Sequence, residues 1–176
     1  MHESITRPPK TIMEVYKMLP EGTLAELING ILYMSPSPVE KHQRIITRLI
    51  SQIYAFIEKH DLGEVFTAPF DVYLDDDANA VQPDILFIAK ENLSIIQGHV
   101  HGVPDLIIEI LSEGNPTHDT KRKKDLYEKF GVKEYWIIDP ETRQATGYTF
   151  ADGVFKLLPS YSGQLVSPLL GEMFSF

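Results

Sequence analysis

The chain contains no cysteine. Disulfides, thiolate metal ligands and cysteine nucleophiles are therefore excluded. It has no apolar run of about eighteen residues, the length a membrane-crossing helix needs. It is also short of positive charge, with 16 Lys and Arg against 25 Asp and Glu and a net charge of −9. A protein that holds nucleic acid chiefly by neutralising phosphates carries a basic surface, so a purely electrostatic binder is disfavoured. A site whose own carboxylates hold a divalent cation is not. The opening stretch, MHESITRPPKTIMEVYKML, lacks the apolar core and small-residue cleavage site of a secretory signal. The expected location is the cytoplasm. Ser112 lacks a glycine elbow or a paired histidine, which argues against a serine hydrolase.

What is present suits one domain over residues 1–176, since 43% hydrophobic content in 176 residues can bury a real core. Residues 1–10 read as loose. Thr11 to Leu19 forms a short helix stopped by Pro20 and Gly22. Leu24 to Ile28 and Ile31 to Ser35 flank Asn29-Gly30, a strong hairpin signal. Val39 to His60 is the longest helical pattern. Its stripe is Ile45, Ile46, Leu49, Ile50, Ile53, Tyr54 and Ile57, with His42 one turn earlier on the same side. Val65 to Leu74 alternates as a strand, Asp75 to Asp77 reads as a solvated turn, and Val81 to Ala89 reads as an apolar strand carrying Asp84. Residues 90–103 read as loop, with His99 and His101 at the surface. A second hairpin closes about Ala151-Asp152-Gly153, and the apolar tail packs down.

The centre of the chain runs from Gly102 to Asp139 and reads as strand, loop, helix, strand. The strand over Asp105 to Leu111 is nearly all apolar, as for a strand covered on both faces. Glu109 interrupts it. A buried carboxylate must be protonated, paired or bound to a cation. On the following helix Leu126, Tyr127 and Phe130 form the inner stripe, and Lys123 falls on the same side at spacings of three, four and seven. Lys121, Arg122, Lys124, Asp125, Glu128 and Lys129 are free to face water. Tyr127, Tyr135 and Trp136 read as core. The order of elements predicts a mixed α/β domain with a parallel crossover between the strands at 105–111 and 132–138.

Asp84 and Glu109 are the acids embedded in apolar strands. If those strands are neighbours, both carboxylates converge on one hard cation. Magnesium suits such a pair, since it asks for few protein carboxylates and keeps its waters. A lysine beside it orients water, stabilises negative charge, or acts as a base if its pKa is depressed. Asp105 lies roughly 13 Å from Glu109 along the strand and reads as a strand-starting residue.

Gln82-Pro83-Asp84, then Glu109 in GVPDLIIEILS, then lysine resembles the PD-(D/E)XK nuclease superfamily. More narrowly, the chain resembles a bacterial restriction-endonuclease-like family, formerly described only as a domain of unknown function. Glu26 in ELINGIL, His42 at the start of the long helix, Asp119, Lys123 and Tyr127 at successive spacings of four, and GVKEYWIIDP carry the match along nearly the whole chain. The superfamily's lysine follows the acid by two residues, where this chain has Leu111. In the narrower family it has moved to the next helix, where Lys123 matches. The resemblance implies a restriction-endonuclease-like fold: a mixed central β-sheet flanked by helices, with N-terminal and C-terminal β-hairpins. It implies a Mg²⁺-dependent (or Mn²⁺-dependent) endonuclease that hydrolyses DNA and works as a homodimer. Asp84, Glu109 and the backbone carbonyl of Ile110 would hold the metal, Lys123 would aid the attacking water, and Glu26 and His42 would line the site. The alternative is an inactive nuclease-fold module that binds nucleic acid or a protein partner.

Overall fold

The computed structural model describes residues 7–112 and 116–176, apart from the side chains of residues 116–119. The first six residues of the expected loose start, and the Asp119 side chain, therefore lie outside the described residues. Helix α1 (Ile12–Lys17) is capped by Thr11, whose hydroxyl accepts the Glu14 amide at 3.1 Å. Strands β1 (Ala25–Ile28) and β2 (Ile31–Met34) form the expected hairpin. Asn29 and Gly30, with φ of 49° and 77°, supply the left-handed pair that its two-residue turn requires. Helix α2 (Glu40–His60) buries His42, Ile45, Leu49, Ile53 and Ile57, one residue per turn. Tyr54, expected on that stripe, is exposed instead.

Two runs that read as single strands are each broken in two. The first becomes β3 (Gly63–Thr67) and β4 (Val72–Tyr73), and the second becomes β5 (Ala80–Val81) and β6 (Ile85–Ala89). Pro69 and Pro83 sit in the gaps. Without an N–H, proline cannot serve a ladder from both sides. Each gap also carries the chain from one sheet to another. Asp84 thus lies at a junction just before β6 and not within a strand. A 3₁₀ turn over Lys90–Ile95 leads to β7 (Ile96–Gln97) and β8 (His99–His101). The two histidines are exposed as expected, but on a strand, with Val100 buried between them.

Strand β9 (Leu106–Ile110), helix α3 (Pro116–Phe130) and strand β10 (Glu134–Asp139) make the expected parallel crossover, with Glu109 opposite Ile137. Strands β11 (Gln144–Ala151) and β12 (Val154–Leu157) form the second hairpin, followed by β13 (Tyr161–Ser162), β14 (Gln164–Ser167) and β15 (Glu172–Ser175). The central sheet runs β12-β11-β10-β9-β6-β3, with β13 added on β11. The N-terminal hairpin belongs to a second sheet, β2-β1-β5-β4-β8-β7, and β14 pairs with β15 apart from both.

Alternation along β6, β9 and β10 decides what each face meets. Ile85, Phe87, Leu106, Ile108, Ile110, Trp136 and Ile138 pack with α2 and with Leu165, Phe174 and Phe176 of the tail. Leu86, Ile88, Ile107, Tyr135 and Ile137 pack with Leu126 and Tyr127 of α3 and with Ile28, Val72 and Val81 of the second sheet. Glu109 shares parity with Ile107, so its carboxylate projects between the central sheet, α3 and the second sheet. No helix among the described residues is long and apolar enough to cross a membrane.

Candidate active site

Five of the side chains singled out in the sequence reach one cavity of about 530 Å³. Glu26 comes from β1, His42 from the first turn of α2, Asp84 from the junction before β6, Glu109 from β9 and Lys123 from α3. The Lys123 ammonium lies 3.0 Å from Glu109 Oε1 and 3.0 Å from Glu26 Oε1. Glu26 Oε1 also accepts the Gln82 amide at 3.0 Å, which ties the hairpin to the Gln82-Pro83-Asp84 junction. Asp84 Oδ2 accepts the Ile110 amide at 2.7 Å and lies 3.1 Å from His42 Nε2. Ile110 lies two residues past the last β6–β9 pair, Ile85 with Ile108, and its amide is taken by this carboxylate. Pro83 is what ends the pairing there.

Two residues read differently from the sequence. Tyr127 is fully buried, as expected of core, yet its hydroxyl donates to Glu109 Oε1 at 2.7 Å. Apolar spacing marks a ring as inward but carries no signal for where its hydroxyl goes. Arg122 was expected to face water. Its guanidinium instead lies 4.2 Å from the centre of the Tyr33 ring, and both residues line the cavity. Asp105 is a separate acid, buried beneath Lys133, Asn92 and the Ala89 amide.

The electrostatics divide acid from base. The Glu109 carboxyl is pushed up to about 8: burial raises it most, Asp84 and Glu26 raise it too, and Lys123 and Tyr127 offset part of the rise. Burial works to lower the Lys123 pKa, but Glu109, Glu26 and Asp84 outweigh it and hold the ammonium well above its ordinary value. In this arrangement Lys123 is held as an ammonium by the acids around it.

Three acids face one ammonium, so with all three ionised the cluster carries negative charge in excess. Burial is the main lift on Glu109, and repulsion from Asp84 and Glu26 adds to it. Among the described residues, Asp84 Oδ1 and Glu109 Oε2 accept no hydrogen bond, and both residues line the cavity. Hard oxygen donors with surplus charge fit a divalent cation. No three His, Asp or Glu side chains among the described residues form a ready cage. Magnesium needs only one or two carboxylates beside retained water, and Asp84 and Glu109 on the cavity wall are the residues that could supply them.

The family model described as "Uma2: Putative restriction endonuclease" matches residues 12–173. The chain belongs to the Uma2 family. The match spans all five cavity side chains, and restriction-endonuclease-like proteins of this kind generally use divalent metals. No curated protein matches. A crystal structure from Anabaena variabilis, described as a putative nuclease belonging to DUF820, superposes with a TM-score of 0.74 at 20% identity, covering 93% of this chain and 92% of that one. At that identity the likeness speaks for the fold, which is restriction-endonuclease-like as expected. Uma2 membership and this fold support a nuclease-type function.

Proposed function

We propose that this Uma2 chain is a metal-dependent endonuclease that hydrolyses DNA phosphodiester bonds, acting as one domain over residues 1–176, as a homodimer and in the cytoplasm. The observation that carries the reading is the meeting of Glu26, Asp84, Glu109 and Lys123, from separate segments, around one cavity with surplus negative charge. Asp84, Glu109 and the Ile110 carbonyl would hold Mg²⁺ or Mn²⁺. Such a cation, when bound, polarises a phosphate and lowers the pKa of water. Lys123, permanently charged, orients the attacking water and steadies charge on the phosphate. Glu26 holds Lys123 in place, and His42 holds Asp84. In hydrolysis, a water oxygen bonds to phosphorus as that water gives up a proton to solvent, the bond to the leaving sugar oxygen breaks, and that oxygen takes up a proton from solvent. Arg122, braced on Tyr33, faces the phosphate backbone at the cavity wall.

A second reading is an inert nuclease-fold module. The pairing of Lys123 with both Glu26 and Glu109 favours it, because the lysine already neutralises much of the cluster. One assay separates the two. Purified protein is incubated with supercoiled plasmid and with single-stranded DNA, in Mg²⁺, Mn²⁺ or chelator, beside Asp84→Ala. Cutting that requires the metal and Asp84 supports the enzyme. Metal binding without cutting supports the module. Size-exclusion chromatography with light scattering reads the oligomeric state.

A further inference from the structure

Among the described residues, two buried side-chain polar atoms lack any hydrogen-bond partner: His42 Nδ1 and the Tyr135 hydroxyl. Both residues line the cavity. Leaving a buried polar group unsatisfied is costly, so each such group calls for an explanation. His42 is already engaged through Nε2 with Asp84. Tyr135 has no such excuse.

The Tyr135 ring is fully buried, packed edge-on to Tyr127 at 5.0 Å and stacked near Tyr148 at 6.2 Å and Phe155 at 5.9 Å. A phenylalanine would fill the same packing at no hydrogen-bonding cost. The neighbouring hydroxyl, on Tyr127, is spent on Glu109. Glu109, Lys123 and Glu26 are the charges that act most on the Tyr135 hydroxyl once its burial is set aside. Lys123 has three protons to donate. Its acceptors are Glu109 Oε1 and Glu26 Oε1. A divalent cation held by Glu109 competes for the first of them.

We propose that Tyr135 is a positioning residue for the cation-loaded site. Once the Glu109 carboxylate turns toward a bound cation, the Tyr135 hydroxyl accepts the hydrogen bond that Lys123 had given to Glu109, and the ammonium, still held by Glu26, stays in the cavity. The hydroxyl is thus unsatisfied in one state of the site and satisfied in the other. This rests on the metal-binding reading above. It favours loading, and a phenylalanine cannot supply that gain.

The test is cation binding by the full chain, not activity. Mn²⁺ is titrated calorimetrically into the wild type and into Tyr135→Phe, and thermal melts are recorded in chelator and in saturating Mn²⁺. The expected result is that Tyr135→Phe melts in chelator at or above the wild type, while its Mn²⁺ affinity falls about tenfold, the scale on which outer partners of a metal site act. Equal affinity in the two proteins overturns the proposal. So does a loss of melting temperature that is the same with and without Mn²⁺, which is the mark of a packing role. Failure of the wild type itself to bind Mn²⁺ overturns both this proposal and the metal-binding reading, so the two failures are distinguishable.

Discussion

The Lys123 ammonium lies 3.0 Å from Glu109 Oε1, joining helix α3 to strand β9 across the crossover that contains them both. Glu26 shares that ammonium from the second sheet, so one lysine holds two sheets and a helix together. Lys123→Met keeps the stem and removes the charge. In chelator it leaves three acids without their cation, and the expected loss is about 3 kcal/mol or more. A divalent ion supplies the missing charge, so the loss is smaller in saturating Mn²⁺. Urea unfolding under the two conditions measures both values. An equal loss in chelator and Mn²⁺ counts against shared neutralisation of one cluster.

The Glu109 carboxyl, raised to about 8 from an ordinary 4.5, makes the metal-free protein pH-sensitive. Its folded pKa lies above its unfolded one. Its contribution is therefore fully present below about 4.5 and is lost as pH rises toward 8. Glu109→Gln keeps the shape and an oxygen to accept Tyr127, but cannot ionise. In chelator the variant should match the wild type near pH 5 and melt increasingly above it as pH approaches 8. Buried Glu134 is also raised, but it is present in both proteins and cancels in the difference. A gap between the two that does not widen with pH would sink the assignment of Glu109 as the strained acid.

Much of this site could be read from the chain. Asp84 and Glu109 stand out as lone acids in apolar runs, and helical spacing alone turns Lys123 inward. The crossover, both hairpins and the long helix follow from periodicity and turn residues. What periodicity misses is interruption. Val65 to Leu74 keeps its alternation across Pro69, and Val81 to Ala89 reads as one apolar run across Pro83, although each proline marks where the chain changes sheets. That change places Asp84 at a junction, where the Ile110 amide can reach it. The hydroxyls of Tyr127 and Tyr135 were hidden for another reason. An inward aromatic looks like core whether or not its oxygen has work at the end of the ring.

The packing beneath the site depends on a position that sequence patterning does not flag. Gly147 of β11 lies opposite Trp136 of β10, and a Cβ there would come within 2.5 Å of the indole ring. Trp136 is fully buried and its indole N–H donates to buried Glu134 at 2.7 Å, so the ring cannot easily step aside. Gly147→Ala should cost about 1–3 kcal/mol through overpacking. Because β10 lies beside β9, the strand that carries Glu109, Mn²⁺ affinity should fall with it. Denaturant unfolding and the Mn²⁺ titration test the two halves. A fully stable variant would mean that the sheet relaxes at this crossing more freely than the geometry allows.

Asp105 offers the contrast that separates a structural acid from the site acids. It lies four residues before Glu109, just ahead of β9 and at the far end from the site, and is likewise buried. Burial pushes its carboxyl up. Hydrogen bonds from Asn92, Lys133 and the Ala89 amide more than offset this and leave it below its ordinary value. A depressed folded pKa means that the stabilisation is present above the ordinary carboxylate range and is lost as pH falls through the folded value. The pH dependence is thus opposite to that of Glu109. Asp105→Asn should cost roughly 2–4 kcal/mol near neutral pH, because it strips the charge from a satisfied buried carboxylate. The cost should shrink on acidification, where the wild-type carboxyl also loses its charge. Mn²⁺ affinity should be unchanged, since Asp105 is not among the residues lining the cavity. Unfolding curves at pH 7 and pH 3 beside a Mn²⁺ titration decide it. A large fall in Mn²⁺ affinity in the folded variant would move Asp105 into the site and undo the division between the two ends of β9.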